Sequence, residues 1–538
     1  MSPMSARPLT KETNRRTLWA AAIFLAVAAA ISLTARDAGL TWDEAIYYGR
    51  AARCVDWFAH LSAQSFTWPV IAAHWWSADH PPLGSLWIAL NMGLFIGATG
   101  LITATRIGAG MLFGAAAAAL FLWIASKRGE RTGLVAAGLF VLMPRLFAHG
   151  HFANLEMATL LVWLLTVIAF ERGIERRGWS IACGVLFGLA LLTKINAIFL
   201  PVLLLPWGFL FHGRKALRNA AAMALCGPLV FFAGWPVMWY HPIECLHAYL
   251  ADKAQRMIIP VYYLGTAYRD RTAPWHYPFV MLLATTPLPV LAAAAVGLWR
   301  HVRTLGAKWK ASAHEALVIW GFLFPVCLVA LPGVPKYDGI RLMLPAYPFL
   351  AALAAAGVVA AWDSFARART GARSAGYQPA VGQDCPTCGF AGIAAVIFAV
   401  WLLLPVVALH PYQLCYYGEL AGGPWGAAKL GFETTYWDDT FDGKALDWLN
   451  RNVPPKGKVA FVAVGDFIWR YDQALGEARP DIREAEFGGD WDYLVVVPRQ
   501  GWWTDAERAF ISSRSHQPVW TNPLPLSGGL PVCMIYKR

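Results

Sequence analysis

A chain of 538 residues that is 57% hydrophobic and only 14% charged, with positive mean hydropathy, is not a soluble globule. Its net charge of +12 does not mark a nucleic-acid binder, because the basic residues sit in short loops between apolar runs rather than along a stripe. The nine cysteines are scattered, and Cys385-Pro-Thr-Cys388 is one CxxC without the second pair that a zinc site needs.

The first apolar run, Thr17 to Thr34, follows Arg7, Lys11, Arg15 and Arg16. No small-residue cleavage site intervenes before Arg36, so it reads as a retained span and not a signal peptide. Further runs lie near 106–126, 132–148, 156–171, 179–194, 197–212, 217–239, 276–299, 315–332, 341–362 and 390–410. Together they predict a mainly α, polytopic membrane protein with about eleven transmembrane helices, each near the roughly 20 residues a bilayer requires. The run Leu83–Leu101 is apolar but broken by Gly and Asn, and is read as juxtamembrane or re-entrant. Excluding it places the N-terminus and the loops Lys127–Arg131, Arg172–Arg177, Arg214–Arg218, Arg300–Lys310 and Arg367–Arg373 on one side. Those segments hold 20 Lys and Arg, which by the positive-inside rule makes that side cytoplasmic and an odd count puts the C-terminus outside. The predicted division is a cytoplasmic tail 1–16, a membrane unit 17–410 and a small external α/β domain 411–538. The membrane unit has external loops 35–105 and 239–275 and a Gly-rich cytoplasmic linker 363–389. In the last domain Lys458–Val464 and Tyr493–Pro498 are strand-like, and Lys444–Asn450 and Thr504–Phe510 helix-like.

The same parity gathers the out-of-place ionisable residues on the external face, where charges at a membrane boundary are functional candidates. Asp43 and Glu44, in Gly39-Leu-Thr-Trp-Asp-Glu, could supply a general base or position a divalent metal, while Thr41-Trp-Asp-Glu also fits a helix capping box. Asp79-His80-Pro81-Pro82 offers an acid and an imidazole on a stiff backbone. Asp79, His149 and His151 are the metal-ligand types available, short of a recognisable set of three or four. Glu156 opens the fourth span and Lys194 closes the fifth; Lys336 and Arg341 flank a short external loop. These cations are either snorkelling anchors or binders of a phosphate leaving group. Tyr263 and His276, within Tyr262-Tyr263 and Trp275-His276-Tyr277, fit an interfacial aromatic belt or a sugar-stacking surface.

An acid pair in the first external loop, His80-Pro-Pro, an acid opening the fourth span, Leu192-Thr193-Lys194 and Arg341-Leu-Met-Leu-Pro345-Ala-Tyr-Pro348 together resemble the GT-C membrane glycosyltransferases. The likeness is to the glycosyltransferase family 39 branch, with protein O-mannosyltransferases and the lipid A aminoarabinose transferase, over roughly residues 17–410. It implies inverting transfer of a sugar from a polyprenyl-phosphate donor to an envelope lipid, glycan or protein acceptor, at a bacterial inner membrane with the C-terminal domain periplasmic. Asp43 would match the catalytic carboxylate with Glu44 beside it, and Glu156 the second acid, usually Asp. His80, Lys194, Lys336, Arg341, Tyr263 and His276 would bind the donor; the family often has Lys where His80 stands. No cofactor is implied beyond a divalent metal. A lipid-linked glycan transporter would instead carry midplane charges and repeated halves, which this sequence lacks. A non-catalytic glycan- or peptide-binding membrane protein would not cleave a donor lipid.

Overall fold

The computed structural model describes residues 11–77, 80–374, 386–513 and 516–538, with side chains described outside 368–391. Asp79, Cys385 and the middle of the expected linker lie outside the described residues. Helices α1 (Lys11–Leu33), α2 (Trp42–Ala59), α3 (Trp68–Trp75), α4 (Leu83–Thr99) and α5 (Leu101–Arg128) come first. They are followed by α6 (Glu130–Val141), α7 (Pro144–His149), α8 (Glu156–Gly173), α9 (Arg177–Leu191), α10 (Leu200–His212), α11 (Leu217–Gly234) and α12 (Pro242–Gln255). A hairpin of β1 (Pro260–Tyr263) and β2 (Thr266–Arg269) precedes α13 (Tyr277–Thr285), α14 (Leu288–Ala307), α15 (Ala313–Ala330), α16 (Tyr347–Ser374) and α17 (Pro386–Ala408).

Ion pairs show which helix ends share a face. Arg15 meets Glu130 at 2.8 Å, Lys127 meets Glu171 at 2.9 Å and Lys215 meets Glu175 at 3.1 Å. Arg128 pairs with Glu315 and lies 3.3 Å from His301, and Arg131 meets Asp363 at 3.0 Å. The basic loops therefore gather at one end of the bundle, while Glu156, Lys194 and Arg341 meet at the other. Among the described residues α1, α5, α6 with α7, α8, α9, α10, α11, α14, α15, α16 and α17 make up this bundle. Five stretches are long and apolar enough to cross a membrane by themselves, and the pair α13–α14, bent by 116°, makes a sixth. One of the five, Ile195–Gly234, folds back at Gly213 and holds both α10 and α11. The shorter passes α8 and α9 carry polar residues of the site or of the basic end, which is why their apolar runs are brief.

The apolar helix α4 is shorter than the stretches that could cross a membrane by themselves. It reverses into α5 at Gly100, whose φ of +77° suits glycine, and its Trp87 Nε1 donates to Gly108 O at 2.9 Å. Ile31 and Phe24 of α1 pack at Gly110 and Gly114 of α5, and Trp87 and Asn91 of α4 pack at Gly108. Elsewhere glycine sets the packing distance. A Cβ at Gly297 would stand 1.9 Å from Leu353 O, and one at Gly357 1.9 Å from Ala293 O, so α14 and α16 touch through bare backbone.

The C-terminal sheet has the order β4 (Arg483–Ala485), β3 (Lys458–Val462), β5 (Tyr493–Val496), β7 (Pro531–Lys537), β6 (Trp520–Pro523). The first three strands are parallel and the last two pair antiparallel. Strand β5 is buried throughout, as a central strand covered on both faces should be. Helices α18 (Gly423–Lys429), α19 (Gly443–Asn452), α20 (Asp466–Ala474) and α21 (Asp505–Ser512) complete the region. Residues 411–441 contribute no strand to it. They run among the helix ends, where Gly418 N donates to Ala284 O at 2.8 Å, Gly39 N to Asp439 O at 2.9 Å and Arg145 Nε to Tyr416 O at 2.8 Å. The segment expected as a linker is helical at its flanks, since α16 runs to Ser374 and α17 starts at Pro386.

Candidate active site

The site begins with how α2 starts. Thr41 Oγ1 accepts from Glu44 N, and the Glu44 carboxylate accepts from Thr41 N at 3.1 Å, a reciprocal capping box that fixes the first turn. That turn sends the adjacent acids in different directions. Asp43, Ile46, Tyr47 and Arg50, spaced as one helical face, line a cavity. Glu44 turns into the protein and is fully buried. It accepts from Arg106 Nε at 2.8 Å and Nη2 at 2.7 Å, and from Ala153 N at 2.9 Å. Arg106 in turn donates to the carbonyls of Ala35, Ala38 and Gly39. Glu44 was expected to share the catalytic position. In the structure its oxygens are taken by donors that brace α2 to α5 and to the end of α1.

Asp43 meets two other helix ends through one guanidinium. Arg341 donates from Nη2 to Asp43, from Nε to Glu156 at 2.7 Å and from Nη1 to Asp338 at 2.9 Å. Lys194 Nζ donates to both oxygens of Glu156, at 3.0 and 3.1 Å. Asp338 and Gly339 both have positive φ, a tight turn that brings Asp338 onto Arg341 three residues later. Three carboxylates thus surround two cations, and two of the five guanidinium N–H groups remain for a ligand. Burial raises the Asp43 carboxyl above the usual aspartate range; Arg341 pulls against this, while Glu156 and Asp338 add to it. Asp43 Oδ1 has no hydrogen-bond partner among the described residues, so one oxygen of a strengthened base is unengaged.

The cavity holds about 630 Å³. Its cationic lining is Arg50, Lys194, Lys253, Arg256, Arg271 and Arg341, against the two acids Asp43 and Asp252. Its apolar lining includes Ile46, Phe199, Leu328, Val329, Leu342 and Pro345. His80 also lines it, and burial among Lys253, Lys194, Arg50 and Arg341 pushes the imidazole well below its ordinary pKa. It is therefore a neutral polar group at neutral pH and not the cation that Lys would be there.

Three expected binders, and the two described metal candidates, stand elsewhere. Lys336 Nζ donates to the carbonyls of Leu331 and Val334, closing its own loop. Tyr263 OH pairs with His276 Nδ1 at 2.7 Å, in an aromatic group with Tyr277 and Phe432, and neither lines the cavity. His149 Nε2 is 2.7 Å from Tyr436 OH, and His151 Nε2 is 2.9 Å from Thr34 Oγ1. The two histidines thus serve separate partners, and the third metal candidate, Asp79, is outside the described residues. No group of three His, Cys, Asp or Glu arranged for a metal occurs among the described residues.

The sequence reading missed Asp338, Arg50, Lys253, Arg256 and Arg271. Signals for them existed. Arg50 lies seven residues after Asp43 on one helical face, and Asp338 three residues before Arg341. Lys253, Arg256 and Arg271 are basic residues in a loop that the charge rule places on the wrong side for them.

Residues 79–240 match the family model of the dolichyl-phosphate-mannose-protein mannosyltransferases. That stretch contains His80, Glu156 and Lys194 but not Asp43 or Arg341. No curated protein matches the chain in sequence. Among solved structures, ArnT from Cupriavidus metallidurans in the apo state is similar over 97% of this chain and 98% of its own, with 16% identity and a TM-score of 0.52. The same protein bound to undecaprenyl phosphate covers the same shares with 15% identity and a TM-score of 0.49. The Archaeoglobus fulgidus oligosaccharyltransferase tethered with an acceptor peptide covers 86% of this chain and 59% of its own, with 12% identity and a TM-score of 0.46. The fold is that of the GT-C membrane glycosyltransferases, a polytopic helical unit with a small sheet domain at its C-terminus.

Proposed function

We propose that this protein moves a sugar from a polyprenyl-phosphate donor to an acceptor hydroxyl, inverting the anomeric centre, with Asp43 as general base. One observation carries the reading: Asp43 lines a cavity whose walls are rich in both cationic and apolar side chains. A phosphate joined to a long hydrocarbon is the ligand class that such walls accommodate together. The matched family is itself named for a sugar carried on dolichyl phosphate, which is a polyprenyl phosphate.

The step balances without a cofactor. The acceptor oxygen attacks the anomeric carbon as the bond from that carbon to the phosphate oxygen breaks, and the hydroxyl proton passes to Asp43 Oδ1. The phosphate departs with the bonding pair on the polyprenyl carrier. Lys194 stabilises the developing charge, with Arg50, Lys253, Arg256 and Arg271 along the same cavity, where water is scarce and such charges act strongly. Glu156 holds Lys194 and Arg341 in place, and Arg341 orients Asp43. Attack from the side opposite the leaving phosphate inverts configuration, by the logic that governs inverting glycosidases. The basic end of the bundle would face the cytoplasm and the reaction would occur outside, at the bacterial inner membrane if the chain is bacterial.

The test is transfer in proteoliposomes charged with membrane extract as donor source, followed by release of polyprenyl phosphate. Asp43→Asn should lower the rate by about 10²–10⁴-fold, the usual worth of a general base, while leaving polyprenyl-phosphate binding intact. Transfer by Asp43→Asn at the unsubstituted rate removes Asp43 from this role.

A further inference from the structure

A second, smaller cavity meets the first at Asp43. It measures about 80 Å³ and shares Asp43, Arg341, Met257 and Ile259 with the larger one. At roughly 10–15 Å³ per water it takes the reacting end of a molecule and not the whole of one. Its other walls are Trp42, Trp437 and Trp502 with Asp338 and Arg499. The two cavities differ in charge. The larger is lined by an excess of cations, whereas the smaller sets Asp43 and Asp338 against Arg341 and Arg499 and offers no surplus positive charge to a phosphate.

The smaller cavity also carries unmet polar atoms. Arg499 is 5% exposed, and its Nε has no hydrogen-bond partner among the described residues. Its Nη atoms stand 3.7 Å from Asp338 and Asp438, beyond hydrogen-bond distance. Trp502 Nε1 is likewise buried and has no partner among the described residues. Trp42 and Trp502 pack against each other with ring centroids 5.8 Å apart at 31°, and with Trp437 they give the cavity an aromatic wall. An aromatic wall beside guanidinium and carboxylate groups matches a pyranose ring, which presents an apolar C–H face and hydroxyls around its edge. Arg499 and Trp502 belong to the loop after β5, so the C-terminal domain completes this wall.

We infer that the smaller cavity is the acceptor subsite and takes the terminal saccharide of an envelope glycan or glycolipid, with the C-terminal domain reading that sugar through Trp502 and Arg499. This rests on the proposed transfer reaction, and it adds a neutral sugar hydroxyl as the nucleophile and a recognition task for the domain. The Ser or Thr hydroxyl of a protein acceptor needs no such aromatic wall.

The probe is a panel of methyl hexopyranosides, each also supplied linked to diacylglycerol, with Ser/Thr-containing peptides as a separate arm. Full-length protein in nanodiscs is examined by saturation-transfer NMR, and undecaprenyl phosphate binding is titrated in parallel. At least one saccharide should bind, and Trp502→Ala and Arg499→Gln should weaken it about tenfold, the scale of a lost aromatic contact. Trp502→Phe should retain it, and undecaprenyl phosphate affinity should stay unchanged in all three. Preference for the lipid-linked form identifies a glycolipid, and equal binding a soluble glycan; both support the inference. Binding of peptides alone, of no probe, or of saccharides indifferently to Trp502→Ala and Arg499→Gln overturns it. In those cases intact undecaprenyl phosphate binding, abolished transfer in Asp43→Asn and no other change would leave the transfer reading standing.

Discussion

Adjacent acids with different duties give the sharpest test of the geometry. Glu44→Gln removes one charge from a pair whose two side chains are both 0% exposed. Its oxygens now accept from Arg106 twice, from the backbone of Ala153 and Thr41, from Thr41 Oγ1 at 3.1 Å and from Tyr48 OH at 3.4 Å. An amide keeps one acceptor oxygen and turns an NH₂ toward donors that it cannot satisfy. Arg106 is then a buried cation without its counter-charge, a change that typically costs about 3–5 kcal/mol. Replacing the whole pair with apolar residues would not recover this, because Arg106 also satisfies the carbonyls of Ala35, Ala38 and Gly39. Asp43→Asn should behave differently. Arg341 would keep Glu156 and Asp338, so the fold should hold while transfer is lost. The assay is unfolding of the purified proteins by SDS in mixed micelles, with donor turnover measured on the same preparations. A loss below about 1 kcal/mol for Glu44→Gln, the range of an exposed pair, would refute the bracing role. So would Asp43→Asn unfolding as early as Glu44→Gln.

Arg341→Lys should lower turnover as severely as Arg341→Ala, since an ammonium cannot hold Asp43, Glu156 and Asp338 in one plane; recovery by Lys in the transfer assay would contradict this. His80→Asn should leave the pH profile of transfer unchanged across roughly pH 6–8, because burial already keeps His80 neutral there. Asp472, on α20, has its carboxyl pushed by burial from 3.8 to about 8. Between those values the folded protein holds a proton that the unfolded chain has released, so this group makes stability fall as pH rises from about 4 to about 8. Asp472→Asn should flatten that slope in thermal melts and stabilise the domain above pH 8 by at least about 1 kcal/mol. Gly357→Val should separate α14 from α16, because its Cβ meets a backbone carbonyl that cannot swing aside. An overpacked contact costs about 1–3 kcal/mol, read as a lower melting temperature with no effect specific to donor binding.

The passes were legible because membrane crossing and charge bias act on single stretches of sequence. Each apolar run had to be long, and each basic loop had to share a side with the others. Excluding Leu83–Leu101 followed from that constraint alone. The cavity was only half legible for a different reason. Hydropathy marks a charge as out of place but cannot say what it touches. Lys194 and Lys336 look alike by that measure; one reaches Glu156 in the cavity and the other folds back onto two carbonyls of its own loop. Asp43 and Glu44 are inseparable by position, and 100° of helical turn separates them. Their difference was present in the spacing of Ile46, Tyr47 and Arg50 against Tyr48 and Ala51, once the capping box fixed where the helix began.

The buried segment 411–441 shows what neither signal could reach. Its charges look like those of a soluble domain, yet Asp438 and Asp439 are fully buried and their carboxyls are raised to about 7 by burial. Nothing in the local pattern announces this, because the cover comes from the segment between α1 and α2, from α7 and from the loop after β5, each remote in sequence. Groups of that kind are costly when ionised, and such costs persist where the surrounding structure fixes them. Asp438 lies 3.7 Å from Arg499, which lines the smaller cavity, so its proton is linked to the wall at which an acceptor would arrive. If Arg499 takes part in acceptor binding, Asp438→Asn should shift the pH dependence of KM for the acceptor near pH 7 while leaving that of undecaprenyl phosphate binding unmoved. A shift common to both ligands would instead place the effect in the fold, and no shift in either would detach Asp438 from the site.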